Sequence, residues 1–202
     1  MTGLVWYAAY GSNLSRPRFD FYLRGGTPQG ASHAYPGARD PTEPIDDRPW
    51  EIGRELVFGG NSRTWGGGVA FVDPDAEVKT KARLYLITAE QFADVVAQEN
   101  WLPPGEVAVP GFDDGLELIV GADHTYGLVL SLGALDGHPI LTFTQHRGTR
   151  SAAPSTAYLR HIGAGLREAH AMSVDEIVDY LSDRRGIRDV LPKDAVLGAL
   201  TG

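Results

Sequence analysis

Two groups of residues in this chain have the types and the spacing to do chemistry. One is Tyr7-Ala8-Ala9-Tyr10-Gly11-Ser12-Asn13-Leu14, where an apolar, aromatic-rich run opens straight into Gly-Ser-Asn-Leu. The other is Glu99, which follows Phe92, Val95 and Val96 at helical spacing. Gly11 allows dihedrals closed to other residues, and Ser12 and Asn13 favour turns and helix caps. Backbone N–H groups presented at such a turn can hold a carboxylate or a developing oxyanion. An ionised glutamate on a stripe that should be buried is costly unless something solvates it. Its pKa is pushed upward, towards the range useful for proton transfer near neutral pH. Each signal alone has an ordinary reading: a strand-to-turn junction for the first, a helix-end carboxylate reaching water or an arginine for the second. In combination they describe a site that binds an anion and moves a proton.

These groups need elements to position them. The stretch from Leu4 to Ala9 has the composition of a buried strand. Further strand-like runs lie at 55–58, 69–72, 83–87, 116–120, 126–131 and 140–143. Turn signals separate them at Gly59-Gly60-Asn61, Asp73-Pro74-Asp75, Asp113-Asp114-Gly115 and Asp136-Gly137-His138-Pro139. Helical patterns cover 89–99, 155–170 and 174–184. Thr88 with Gln91 three residues on is a capping box, so the first of these helices is predicted to start at Ala89. At 3.6 residues per turn Glu99 then shares the face of Phe92, Val95 and Val96, while Ala93, Asp94 and Ala97 fall elsewhere. Ser173 and Glu176 form a second capping box, with Ile177, Val178 and Leu181 turned inward. The Gly-, Pro- and Asp-rich stretch at about 25–53 reads as a long surface excursion, functional or mobile rather than part of the core. The expected architecture is one α+β domain spanning 1–202, a mostly antiparallel distorted β-barrel or sheet flanked by helices.

Composition narrows the function classes. The chain has 202 residues, enough for one sizeable core, with 43% hydrophobic and 22% charged residues. No apolar run approaches a membrane span, and the first residues carry neither the basic stretch nor the apolar segment of a secretory signal. The absence of cysteine removes disulfides, thiolate metal sites and thiol nucleophiles, and a cytoplasmic location is expected. A net charge of −8 without a block of like charges argues against nucleic acid or an anionic membrane as partner.

The segment ending in Tyr10-Gly11-Ser12-Asn13-Leu14 resembles the substrate loop of the gamma-glutamylcyclotransferase-like family. Leu84-Tyr85-Leu86-Ile87 through Gln98-Glu99 resembles that family's strand-plus-helix segment, which ends in the catalytic glutamate. Leu56-Val57-Phe58-Gly59-Gly60 and Trp65-Gly66-Gly67-Gly68-Val69-Ala70 are similar to its core strands. Pro154-Ser155-Thr156-Ala157-Tyr158, followed by Ile162 and Gly165, is similar to its closing helix. The resemblance implies that a glutamyl α-amine attacks its own γ-carbonyl, giving 5-oxoproline and a released amine or amino acid. It implies Glu99 as the general acid/base and Tyr7, Tyr10, Gly11, Ser12, Asn13, Leu14 and Tyr158 as the substrate-binding set. It calls for no protein nucleophile and no cofactor, and its partner is a small gamma-glutamyl amine or amino acid. After Glu99 relatives carry Gly and then a tyrosine, whereas this chain has Asn100-Trp101-Leu102-Pro103-Pro104-Gly105, a departure that bears on the leaving group.

Two further readings stay open at this stage: a non-catalytic module binding a carboxylated metabolite, and an amide or isopeptide hydrolase or acyltransferase using the same pocket. Other signals are weaker. The six histidines show no paired metal-ligand spacing, and His161 and His170, nine apart, would face opposite ways. Gly66-Gly67-Gly68 is not followed by Lys-Ser/Thr and is no phosphate loop. The basic stretch Gln145-His146-Arg147-Gly148-Thr149-Arg150 reads as solvated loop, and the four tryptophans as core or pocket wall.

Overall fold

Alternation along the first strand sets the layering. β1 (Leu4–Ala9) turns Val5, Tyr7 and Ala9 to one face and Trp6 and Ala8, followed by Tyr10, to the other. That is the period of two that a strand requires. Both faces are covered, which is why the run is apolar throughout. The computed structural model describes residues 3–29, 31, 33–108, 117–121, 123–146, 148 and 150–202, with only the backbone at 117–119. The expected turn at Asp113-Asp114-Gly115, the start of the run at Leu116, and Arg147 and Thr149 of the basic stretch lie outside the described residues.

β1 sits in the middle of a six-stranded sheet. Its neighbours are β5 (Thr80–Thr88), antiparallel, and β8 (His138–Thr144), parallel. The order is β2 (Asp46–Ile52), β5, β1, β8, β7 (Leu128–Leu135) and β6 (Glu117–Ile119), antiparallel at every pairing except β1 with β8. β3 (Glu55–Gly59) and β4 (Val69–Asp73) form a separate antiparallel pair. The chain is thus α+β, and of the two expected forms the open sheet is the one found. α1 (Arg16–Arg24) and α2 (Ala89–Glu99) contribute to the core on the Tyr7 face. α3 (Thr156–His170), α4 (Val174–Ser182) and α5 (Lys193–Thr201) contribute to that on the Trp6 face.

Register carries Glu99 to the right place. Leu4 of β1 pairs with Thr88 of β5 and Ala9 with Arg83, so α2 starts beside the beginning of β1, where Ala89 N–H donates to Gly3 O at 2.9 Å. The capping box forms as predicted, with Thr88 Oγ1 accepting from Gln91 N and Gln91 Oε1 from Thr88 N, both at 3.0 Å. Eleven residues then advance about 16 Å, close to the roughly 20 Å span of a six-residue strand. The last residue of α2 therefore arrives at the end of β1 where Gly11-Ser12-Asn13 begins.

Most described residues of the excursion are exposed or half-buried, and its inner side clamps the outer side of α2. Gly37 N–H donates to Gln98 Oε1 (3.2 Å), Arg39 N–H and guanidinium bind Asp94, and Gln91 Nε2 donates to the carbonyls of Asp40 and Thr42. Asp94 is consequently fully buried, and residues 91–98 of α2 are covered on every side. The excursion ends as edge strand β2, where Pro49 is tolerated because only one side of the strand pairs. The expected turn at 136–139 is a tighter one at Asp136-Gly137, with φ of 52° and 79°, and His138 and Pro139 open β8.

Candidate active site

The loop after β1 is held from three sides. Residues Ser12–Leu14 make one 3-10 turn, and Tyr85 Oη of β5 donates to the Asn13 carbonyl at 2.9 Å. Arg83 of β5 donates to the Leu14 carbonyl (3.3 Å) and pairs with Asp47 of β2 and Glu168 of α3. Glu168 in turn accepts from Arg16 N at 3.0 Å. Gly11 has a φ of −103°, outside the left-handed region, and the demand for glycine there is one of space. A Cβ there would lie 2.9 Å from Tyr158 Oη and 3.4 Å from Ala70 Cβ.

A cavity of about 480 Å³ opens at this end of the sheet. Seven of the residues singled out from sequence line it: Tyr7, Tyr10, Gly11, Ser12, Asn13, Glu99 and Tyr158. Leu14 does not line it; 1% exposed, it packs in the core against α3 instead. Asn13 joins the loop to the helix, its Nδ2 donating to Glu99 Oε1 at 3.1 Å and lying 3.3 Å from Tyr7 Oη. What exposure Glu99 retains is towards this cavity, and protein surrounds it otherwise. Burial pushes the Glu99 carboxyl upward in pKa, while the Tyr22 hydroxyl, the Arg18 charge and the Asn13 amide draw it back. On balance the surroundings disfavour the anion, burial being the larger influence.

The tyrosines differ in what their hydroxyls do. Tyr10 Oη donates to the Phe143 carbonyl at 2.6 Å, so it shapes the wall and ties β1 to β8. The Tyr7 ring stacks on Phe143 with centroids 5.3 Å apart. Tyr158 Oη accepts from Ala70 N at 3.2 Å, with the Ser12 amide also favouring that oxygen. Burial pushes its pKa up to about 12, so it keeps a proton that no described residue accepts.

Trp65 and Trp101 line the cavity, in keeping with the pocket-wall reading of the tryptophans, but sequence reasoning missed several other lining residues, among them Arg18, Tyr22, Tyr35 and Tyr126. Arg18 and Tyr22 come from α1, where their four-residue spacing was the available signal. Tyr35 comes from the excursion. The segment after Glu99 is built for support: Asn100 caps α2 and exchanges hydrogen bonds of 2.9 and 3.0 Å with the Tyr126 backbone. Trp101 follows at φ 63° and is 48% exposed, at the cavity rim against His33. Among the described residues no three His, Asp or Glu side chains converge as a metal site, and no helix is long and apolar enough to cross a membrane.

No known protein-family profile matches the chain. A curated relative, histone deacetylase 5 of Arabidopsis thaliana, is 36% identical over 88% of this chain, and the chain spans about 30% of that protein's length. Among solved structures a gamma-glutamyl cyclotransferase superposes with a TM-score of 0.55 at 16% identity, over 90% of this chain and 88% of the other. An uncharacterised human protein gives 0.53 at 18% identity over 90% and 88% of the two chains. YkqA of Bacillus subtilis gives 0.53 at 16% identity over 90% of this chain and 55% of the other. The chain has the gamma-glutamyl cyclotransferase-like fold.

Proposed function

We propose that the protein is a gamma-glutamyl cyclotransferase-type enzyme acting on a small gamma-glutamyl amine or amino acid. The observation that carries this reading is the 3.1 Å contact between Asn13 and Glu99, which puts the loop and the acid/base candidate in one cavity. In the reaction the substrate's α-amino nitrogen attacks its γ-carbonyl carbon. A C–N bond forms, closing the five-membered ring, and the bond from that carbon to the leaving nitrogen breaks. Glu99 takes a proton from the attacking amine and delivers one to the departing nitrogen, which leaves as a neutral amine. Every atom of the acyl group stays in 5-oxoproline, and neither water nor a protein nucleophile enters.

The enclosing walls supply the larger share of the acceleration. Folding a flexible glutamyl chain into attack geometry is worth up to about 7–11 kcal/mol in favourable cases. The Tyr158 hydroxyl, with its proton unclaimed by protein, is placed to donate to the carbonyl oxygen as charge develops there. Tyr158→Phe is expected to lower kcat about 10²-fold, the usual cost of one oxyanion donor. It is also expected to destabilise the fold by about 1–3 kcal/mol, because the Ala70 N–H loses its acceptor. Steady-state kinetics and denaturant melts measure both.

The test is a panel of gamma-glutamyl amines and amino acids, with products read by mass spectrometry. The expected result is 5-oxoproline and amine in equal amounts. Glutamate as product would make the protein a hydrolase, and binding without turnover would make it a metabolite-binding module.

A further inference from the structure

Arg18 is only 2% exposed, and no described carboxylate lies within ion-pair distance of it. Its Nη2 donates to Tyr35 Oη at 2.6 Å and Tyr22 Oη at 3.3 Å. Its guanidinium lies over the rings of Tyr22, Tyr35 and Trp65, at 4.7, 4.5 and 5.6 Å from their centroids. Nε and Nη1 are buried without an acceptor. Burying an unpaired guanidinium costs several kcal/mol, and an apolar side chain of similar length would fill the same space more cheaply. The charge therefore needs a purpose beyond packing.

Direction of donation supplies one. Because Nη2 gives its proton to the Tyr22 oxygen, the Tyr22 hydroxyl proton is turned away from Arg18, and Arg18, Tyr22 and Glu99 line the same cavity, where the Tyr22 hydroxyl favours the Glu99 anion. We propose that Arg18 is a positioning residue which, acting through the Tyr22 hydroxyl, aims the Glu99 carboxylate into the cavity and keeps it as the anion that accepts a proton. This rests on Glu99 being the acid/base of the proposed reaction. The groups that face Glu99 are Tyr7 and Tyr10 at β1, Asn13 on the loop, Arg18 and Tyr22 on α1, Tyr126 before β7 and Tyr158 on α3. Among the described residues Arg18 is the one cation that acts on the Glu99 carboxyl. The burial of Glu99 and the charge of Arg18 pull its titration in opposite directions, burial being the larger.

The sign follows. Removing the cation favours protonated Glu99, and a protonated base cannot accept a proton, so the acid limb of kcat/KM moves to higher pH. The experiment titrates the Glu99 carboxyl by carbon NMR without substrate, assigned by its loss in Glu99→Gln, beside pH profiles on a gamma-glutamyl amide. Arg18→Met is expected to raise the Glu99 midpoint by about one unit or more, a tenfold or larger loss of kcat/KM below the midpoint that recovers at alkaline pH. Tyr22→Phe and Arg18→Lys are expected to give smaller shifts in the same direction, and they decide the matter if Arg18→Met does not fold. Unchanged Glu99 midpoints in these variants, or a raised KM with the acid limb unmoved, would overturn the proposal. The NMR arm needs no turnover: a shift in a protein that makes no 5-oxoproline keeps Arg18's role and removes the cyclotransferase reading instead.

Discussion

Glu99→Gln loses turnover and gains stability at neutral pH. The amide keeps the shape of the side chain and its contact with Asn13 but cannot take a proton, so kcat falls by about 10²–10⁴ while substrate is still bound. The stability change has the opposite sign for a stated reason. The folded-state pKa of Glu99 lies above its unfolded value because of burial. Between those two values the native state binds more protons than the unfolded state, so stability falls as pH rises through that window. Above it the full cost of an ionised buried carboxylate is carried, and glutamine never carries it. The gap between variant and wild type should close as pH drops below the unfolded value. Denaturant melts at several pH values, beside kinetics, check both halves; a variant that is inactive and less stable would mean that Glu99 is there to hold the fold.

The second large effect is expected from a residue that does not line the cavity. Gly165 on α3 lies so close to the loop that a Cβ would sit 2.3 Å from Leu14 Cβ and 2.4 Å from both Leu14 C and Ser15 N. Those last two are backbone atoms, which cannot rotate away. Gly165→Ala is expected to cost about 3 kcal/mol or more, the upper range of overpacking. It should also lower kcat at temperatures where the fold survives, since relief comes by moving the turn that carries Asn13 away from Glu99. Gly198→Ala on α5, where nothing lies within 4 Å of the added carbon, serves as the contrast and should be neutral or stabilising by about 1 kcal/mol. Chemical denaturation and activity of the two variants separate the crowding from any general intolerance of alanine.

Much of the scaffold was legible because local signals and tertiary demands agree there. The β1 run is apolar on both faces because both faces are buried, and the Thr88 box starts α2 where the sheet needs it. Glu99 on a buried stripe was visible by periodicity alone. What escaped has physical causes. β2 reads Asp-Asp-Arg-Pro-Trp-Glu-Ile, a sequence that only an edge strand accepts. α1 reads Arg-Pro-Arg-Phe-Asp-Phe-Tyr-Leu-Arg, short and charged at its start, so it does not stand out as a helix, and without it the Arg18–Tyr22 spacing had no meaning. Arg18 itself is one of 18 basic residues, and nothing local marks it as more deeply buried than Arg83 or Arg184. Gly and Pro mark the excursion as a surface segment, but nothing in them shows that Gln91, Asp94 and Gln98 of α2 bind its backbone. Leu14 belongs to the loop's signature but points into the core, because the 3-10 turn places it against Gly165 and not towards the cavity.

The most direct measurement is turnover of a gamma-glutamyl amide in water enriched in oxygen-18. Ring closure by the substrate's own amine inside a cavity where Glu99 moves the proton predicts one unlabelled 5-oxoproline per amine released, and none from Glu99→Gln. Glutamate carrying the heavy oxygen would show that water was the nucleophile, and would contradict the account.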